Sequence, residues 1–293
     1  MATHTTSLED YQAMSAAAAS GVIGRYSTSF SFATRLLPQP LRTDIRNLYS
    51  VVRIADEIVD GTAAAAGLSQ EQIAARLEEF ERDTYAAMES GFSTNPMLQA
   101  FADTARQCHI PREHMTAFYA SMRADITARE FSKQELAAYI YGSAEVIGLM
   151  CVAIFLRNHV VSPQERSILD AGAQALGAAF QKINFLRDYA EDTSLLGRSY
   201  FAAWGKRLDE QQKQLLVEDI RQDLHTAYAT IPLLPFSSRS AVLAAYYFFA
   251  TLTDKVDQTS VAVLEQQRVR VSNPEKMRLI AQAVRQAAVM GKK

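Results

Sequence analysis

Gln181-Lys-Ile-Asn-Phe-Leu-Arg-Asp-Tyr-Ala-Glu-Asp192 is the stretch on which the reading of this chain turns. Asp188 and Asp192 are four residues apart, Asn184 lies four before Asp188, and Gln181 three before Asn184. On an α-helix these side chains share one face, while Ile183, Phe185 and Leu186 occupy the others. A bundle core has no need of such a polar stripe. A carboxylate-lined cavity between helices does.

The spacing recurs upstream in Tyr49-Ser-Val-Val-Arg-Ile-Ala-Asp-Glu-Ile-Val-Asp60, where Asp56 and Asp60 stand one turn apart and Arg53 one turn earlier. Like charges at that spacing mildly destabilise a helix, so the arrangement costs stability unless a cation joins them. The neighbours Ile54, Ile58 and Val59 predict that this helix is partly buried. A lone Asp-x-x-x-Asp is most often a solvated face. Two of them, each beside an arginine in an apolar setting, leave a solvated face and a metal site evenly matched on pattern alone. Mg2+ takes oxygen ligands and is commonly held by one or two carboxylates plus phosphate oxygens. Two facing acidic helices suit that cation around a diphosphate, with Arg53 and Arg187 placed to neutralise a departing anion. The five histidines show no metal-ligand spacing, which disfavours zinc.

Outward from these segments, long Ala-, Leu-, Gln- and Glu-rich stretches repeat apolar residues at three- and four-residue steps. Proline-containing breaks fall at Pro38 and Pro40, Asn95-Pro96, Pro111, Ser162-Pro163, Pro232 and Pro235, and Asn273-Pro274. Period-two strands and hairpin turns are absent, so the class is all-α, a single-domain helical bundle of about ten helices. One domain spanning residues 1–293 is the simplest organisation, with the N-terminal ~15 residues expected to lie loosely. The chain has 293 residues, 48% hydrophobic and 21% charged, which excludes a largely disordered protein. Thirty basic residues against 32 acidic ones remove the electrostatic argument for nucleic acid. Two cysteines cannot make a disulfide framework, so a cytoplasmic setting is the default. The first ten residues lack the features of a signal peptide. The longest apolar run, VIGLMCVAIFL at 146–156, is short for a bilayer span.

The chain resembles the squalene/phytoene synthase family, which condenses prenyl diphosphates head to head on an all-α isoprenoid-synthase fold. The likeness rests on Tyr26-Ser-Thr-Ser-Phe-Ser-Phe32, the block from Arg53 to Asp60, Tyr139-Ile-Tyr-Gly-Ser-Ala-Glu-Val-Ile-Gly148, and the Gln181 to Asp192 block with Gly197-Arg-Ser-Tyr-Phe201 after it. These run in family order, in wording nearest the bacterial phytoene synthases. Glu57 stands where many relatives have Asp, and Ser143-Ala144-Glu145 where much of the family reads Val-Ala-Gly, which predicts a wall of altered shape and charge near Tyr141.

The resemblance implies that Asp56, Asp60, Asp188 and Asp192, with Asn184, bind Mg2+ (or Mn2+), and that Arg53 and Arg187 meet diphosphate. It places Tyr26, Ser27, Ser29, Phe30, Tyr49 and Gln181 along the cavity and makes Tyr141 a polar group beside the reacting carbons. Phe30 and Tyr49 read equally well as plain core, and Arg268-Val-Arg270 either as a basic element of relatives or as a solvated face. The implied reaction joins two geranylgeranyl diphosphates to phytoene through a cyclopropyl diphosphate, without nicotinamide cofactor. The alternatives are a C30 synthase using farnesyl diphosphate, making dehydrosqualene, squalene or hydroxysqualene, and a catalytically silent helical scaffold. A lipid product also suits peripheral contact with a membrane surface.

Overall fold

The computed structural model describes residues 6–127, 131–189 and 208–290. The described residues form helices and contain no strand. In chain order these are α1 Ser7–Tyr26, α2 Thr28–Thr34, α3 Leu41–Val59, α4 Thr62–Ala65, α5 Gln70–Ser90, α6 Pro96–Gln107, α7 Arg112–Thr127 and α8 Lys133–Ile140. A five-residue π-helical turn, Tyr141–Glu145, leads into α9 Val146–Phe155. Then follow α10 Pro163–Arg187, α11 Glu210–Thr230, α12 Phe236–Asp257, α13 Val261–Leu264 and α14 Asn273–Met290.

Local sequence accounts for most boundaries. Capping boxes, in which the N-cap oxygen takes one orphan backbone N–H and the third residue returns the bond, start α1 (Thr6 with Glu9), α5 (Ser69 with Gln72), α8 (Ser132 with Glu135), α10 (Ser162 with Glu165) and α11 (Asp209 with Gln212). Asn95-Pro96 and Ser162-Pro163 place proline in the first helical turn, where its missing N–H costs nothing. Gly91, at φ 77°, closes α5 in the left-handed conformation. The start of α1 is better anchored than the sequence suggests: Tyr11 Oη donates to the Ser93 carbonyl at 2.8 Å and Gln12 to Asp103 at 3.0 Å.

The apolar run at 146–156 belongs to a longer helix than its own length implies. Together α8, the π-turn and α9 make a continuous 23-residue helix, Lys133–Phe155, long and apolar enough to cross a membrane by length and composition. Here Val146, Met150, Val152 and Ile154 are buried in the bundle core. Backbone-to-backbone approach fixes this helix. A Cβ on Gly142 would lie 2.2 Å from the Ala117 carbonyl oxygen of α7, and one on Gly148 would lie 2.4 Å from that of Ala173 in α10. Gly177 of α10 meets the Ala144 carbonyl in the same way, at 2.6 Å.

These contacts predict opposite outcomes for two glycine-to-alanine changes. Gly142→Ala should destabilise by about 1–3 kcal/mol, because a rigid carbonyl blocks the methyl, and lower Tm by several degrees. Gly21→Ala in α1, where nothing lies within 4 Å, should stabilise by about 0.5–1 kcal/mol. Thermal unfolding of the two variants checks both signs.

Candidate active site

A cavity of about 1000 Å³ lies inside the bundle. Its long apolar part is walled by Leu37 before α3, Ile45 of α3, Phe155 of α9, Leu169 of α10 and Leu234 before α12. At the other end, the last turns of α3 and α10 bring Arg53, Asp56, Asn184 and Arg187 together. Ile45 and Asp56 are eleven residues apart on α3, Leu169 and Arg187 eighteen on α10, so the ends stand roughly 16–27 Å apart.

Ten of the expected residues line this cavity: Tyr26, Ser27, Ser29, Phe30, Tyr49, Arg53, Asp56, Gln181, Asn184 and Arg187. Phe30, which read equally well as core, lies at the hub of an aromatic wall. Its ring centroid is 6.0 Å from both Phe180 and Phe249 and 6.4 Å from Tyr49, and Phe180 stacks on Phe249. Burial pushes the Tyr49 hydroxyl up to about 12, against the opposing pull of Arg53, so it stays a neutral donor.

Other residues stand off the lining. Asp60 caps the end of α3 and is felt through its repulsion of Asp56. Asp188 caps α10 and is gripped by Arg187 (2.9 and 2.6 Å) and by Arg268 (2.7 Å). Tyr141 is not brought to the cavity: the π-turn presents Ser143 and Ala144 there and leaves Tyr141 38% exposed. The change of wall chemistry expected at Glu145 is likewise turned aside. Its carboxylate accepts from Gln174 at 3.2 Å and does not line the cavity, and burial raises its pKa. Asp192 and the element at 197–201 lie outside the described residues.

The acidic helix end is arranged around Arg53. Its guanidinium donates to Asp56 at 3.1 Å and to Glu57, and the Tyr26 ring lies 4.5 Å from it in cation–π geometry. Glu57 also accepts from Thr62, so the residue that departs from the family pattern is engaged away from the cavity. Asp56 is half-buried, its side chain 31% exposed. Burial first, then repulsion from Asp60, raises its carboxyl pKa from 3.8 to about 8, outweighing Arg53. A buried third acid, Asp125 on α7, adds to that repulsion and accepts the Tyr139 hydroxyl at 3.0 Å.

Sequence reasoning missed part of the cationic rim. Arg268 and Arg270, left open between a basic element and a solvated face, both line the cavity. Lys276, on the first turn of α14, was not anticipated. It is buried, donates to Thr28 Oγ1 at 2.8 Å, and has its pKa lowered by burial and then by Arg187. No motif announces it, because a lone lysine after Asn273-Pro274 reads as an ordinary helix start. With Arg25, Arg53 and Arg187, six basic side chains among the described residues line the cavity against one carboxylate, Asp56. That balance calls for an anion of high charge.

The donor chemistry fits a hard divalent cation. The candidate ligands Asp56, Asp60, Asp188 and Asn184 offer oxygen, and the Asn184 Oδ1 atom is buried with no hydrogen-bond partner. Among the described residues no group of three His, Cys, Asp or Glu side chains could hold a metal by itself. Magnesium does not demand one when phosphate oxygens complete its shell.

The helical arrangement itself is one already known. A solved dehydrosqualene synthase superposes with a TM-score of 0.76 over 96% of this chain and 99% of that one, at 20% identity, which shows the shared fold. The squalene/phytoene synthase profile matches residues 23–214, and the chain belongs to that family. Its members are prenyltransferases acting on prenyl diphosphates, generally with a divalent metal. Among relatives, it is 30% identical over 191 residues to a bifunctional lycopene cyclase/phytoene synthase of Phaeosphaeria nodorum (60% of this chain, 32% of that protein). It is 30% identical over 178 residues to a 15-cis-phytoene synthase of Paracoccus sp. (59% and 55%), and 29% identical over 230 residues to a 4,4'-diapophytoene synthase of Staphylococcus haemolyticus (78% and 71%). The matches thus span about a third and about half of the first two relatives' lengths.

The raised Asp56 pKa has a consequence for stability without metal. A carboxyl that holds its proton more tightly when folded favours the folded state at low pH, and that advantage disappears as pH rises from 3.8 towards about 8. Metal-free protein should therefore lose stability between about pH 5 and about pH 8 through this group, and Asp56→Asn should flatten that slope. Urea unfolding across the range checks it, and parallel slopes in the two proteins would refute it.

Proposed function

We propose that this protein condenses two molecules of geranylgeranyl diphosphate head to head to phytoene, releasing two diphosphates and two protons. The observation that carries the reading is the polarity of the cavity: among the described residues six basic side chains and the Asp56 carboxylate line a long apolar chamber, with Arg53, Asp56 and Arg187 gathered at one end. Such a chamber suits a substrate with a highly charged head and a hydrocarbon tail, and the basic excess suits more than one diphosphate. The single-domain organisation is part of the proposal, supported by one buried core that runs from Ala33 to Ala287.

Asp56, Asp60, Asp188 and Asn184, with Asp192 as the fifth expected ligand, would hold the divalent metal. When bound, the metal supplies positive charge to the leaving diphosphate, lowering the barrier to ionisation. Arg53, Arg187 and Arg268 bind and orient the diphosphates, and Lys276 adds a fourth cation at the head of α14. Asp188 keeps Arg187 and Arg268 together, so it acts on the diphosphate through them as well as on the metal. Phe30, Phe180 and Phe249 exclude water from the allylic cation and offer it their π faces. The first coupling loses one proton as the cyclopropane closes; the cyclopropyl diphosphate then ionises at the same polar end, rearranges and loses a second proton. The Tyr49 hydroxyl, neutral throughout, orients polar groups beside that path through its bond with Ser27.

A C30 condensation of two farnesyl diphosphates is the second reading, favoured by the likeness to a diapophytoene synthase over 78% of the chain. The assay that separates the two supplies each diphosphate with Mg2+ in detergent and no reductant, then identifies the hexane-soluble product by chromatography and mass. Geranylgeranyl diphosphate should give a C40 triene that disappears with EDTA and falls at least about a hundredfold in Asp188→Ala. A C30 product from farnesyl diphosphate alone would select the second reading. No product from either substrate, in folded protein, would leave the silent scaffold. Lys276→Met should raise KM for the diphosphate more than it lowers kcat, since it removes a binding cation without touching the candidate ligands.

A further inference from the structure

The end of the bundle opposite the acidic residues carries its own unpaired charge. Arg35 follows α2 and Arg42 and Arg46 lie on the first two turns of α3. Arg42 donates to the backbone carbonyls of Leu37 and Arg35, each at 2.9 Å. Arg46 Nε is buried without a partner, and its cation is disfavoured by burial and then by Arg42 and Arg35. Arg35 stands 5.6 Å from the Phe32 ring. None of the three pairs with a carboxylate among the described residues. Asp44, between Arg42 and Arg46 on α3, is engaged elsewhere, with Arg157 and Thr104. Three arginines so close together with no counter-charge leave a standing demand for anions.

Large apolar side chains are exposed at the same end. Leu233 is 47% and Phe236 62% exposed, on the connection from α11 into α12. Both groups adjoin the apolar end of the cavity along the chain, since Leu37, Ile45 and Leu234 line it. Helix α2, which Arg35 follows, also packs on α12, the helix that Phe236 begins. Arg239 Nε, bound to the Leu234 carbonyl at 2.7 Å, adds a fourth guanidinium beside Phe236. Cations ringing exposed aromatic and aliphatic groups match the interface of a bilayer with anionic headgroups.

We propose that this end of the bundle docks on an anionic lipid surface, with Leu233 and Phe236 entering the headgroup region and Arg35, Arg42 and Arg46 facing lipid phosphates. The cavity's apolar end then faces the membrane and its diphosphate end faces away. A hydrocarbon product has its shortest route into lipid there, a clause that rests on the prenyl-condensing reading. The docking itself rests on the surface alone.

The test is co-sedimentation of the full chain with vesicles of phosphatidylcholine, with and without a third of phosphatidylglycerol. Binding should need the anionic lipid and weaken with salt. Arg35→Gln with Arg46→Gln should reduce partitioning about 25-fold, at roughly fivefold per charge. Leu233→Ser with Phe236→Ser, both at exposed sites, should reduce it independently. Arg76→Gln with Arg82→Gln, exposed on α5, should change nothing. Binding that ignores the lipid charge, or survives both surface variants, overturns the proposal. So does a dimer in light scattering that dissociates with Phe236→Ser, because a second copy then covers the patch. Condensation in detergent is measured on the same variants and should be unchanged. Lost vesicle binding with retained activity in the wild-type protein sinks the docking alone. Intact vesicle binding without any condensation supports the docking and sinks the enzymatic reading.

Discussion

Keeping a cavity of about 1000 Å³ open inside a bundle of helices is the constraint from which most of this structure follows. An empty apolar chamber forfeits the contacts that would otherwise fill it, so the surrounding helices must be secured where they do touch. They are secured by backbone approach. Gly142 and Gly148 bring the long helix containing α9 against α7 and α10, and Gly177 returns the contact from α10. Side chains on those faces would push the helices apart. With the frame fixed behind them, Ser143, Ala144, Ile147 and Cys151 are free to form a smooth wall in front.

The polar end obeys a second logic, in which charge is concentrated beyond what the protein itself neutralises. Asp56 is held near Asp60 and Asp125, and among the described residues six basic groups line the same cavity. Such placement is costly in the metal-free state. Part of the cost is offset internally: Arg53 is divided between Asp56 and Glu57, and Asp188 between Arg187 and Arg268. These pairs hold the arginines in the orientation they need when an anion arrives, so the ion pairs serve as positioning devices rather than as sources of stability.

What the sequence disclosed divides along physical lines. Helix boundaries were legible where proline breaks the pattern, as at Asn95-Pro96 and Ser162-Pro163, because its missing N–H is tolerated in a first helical turn. The two polar stripes were legible because a helix repeats every three to four residues, and Arg53, Asp56, Gln181 and Asn184 fell on the cavity as that period requires. Lys276 was not, because it reaches the site from the far end of the chain and nothing local marks it, and Arg268 was left open between a basic element and a solvated face. Tyr141 was expected beside the reacting carbons on the resemblance alone, and the π-turn at 141–145 presents Ser143 and Ala144 to the cavity in its place.

That turn has a consequence for how the wall can change over time. A π-turn stores one residue more than the α-helix around it needs, and each residue of α-helix advances the azimuth by about 100°. Deleting a single residue between 141 and 145 would therefore leave a regular helix with α9 in nearly its present orientation to α8, because the five residues of the π-turn wind about as far as four α-helical ones. Gly148 would keep its seat on Ala173, and Cys151 and Phe155 their place on the wall. The segment can thus shed that one residue at the turn itself, whereas a residue lost within α9 would swing the rest of the wall by about 100°.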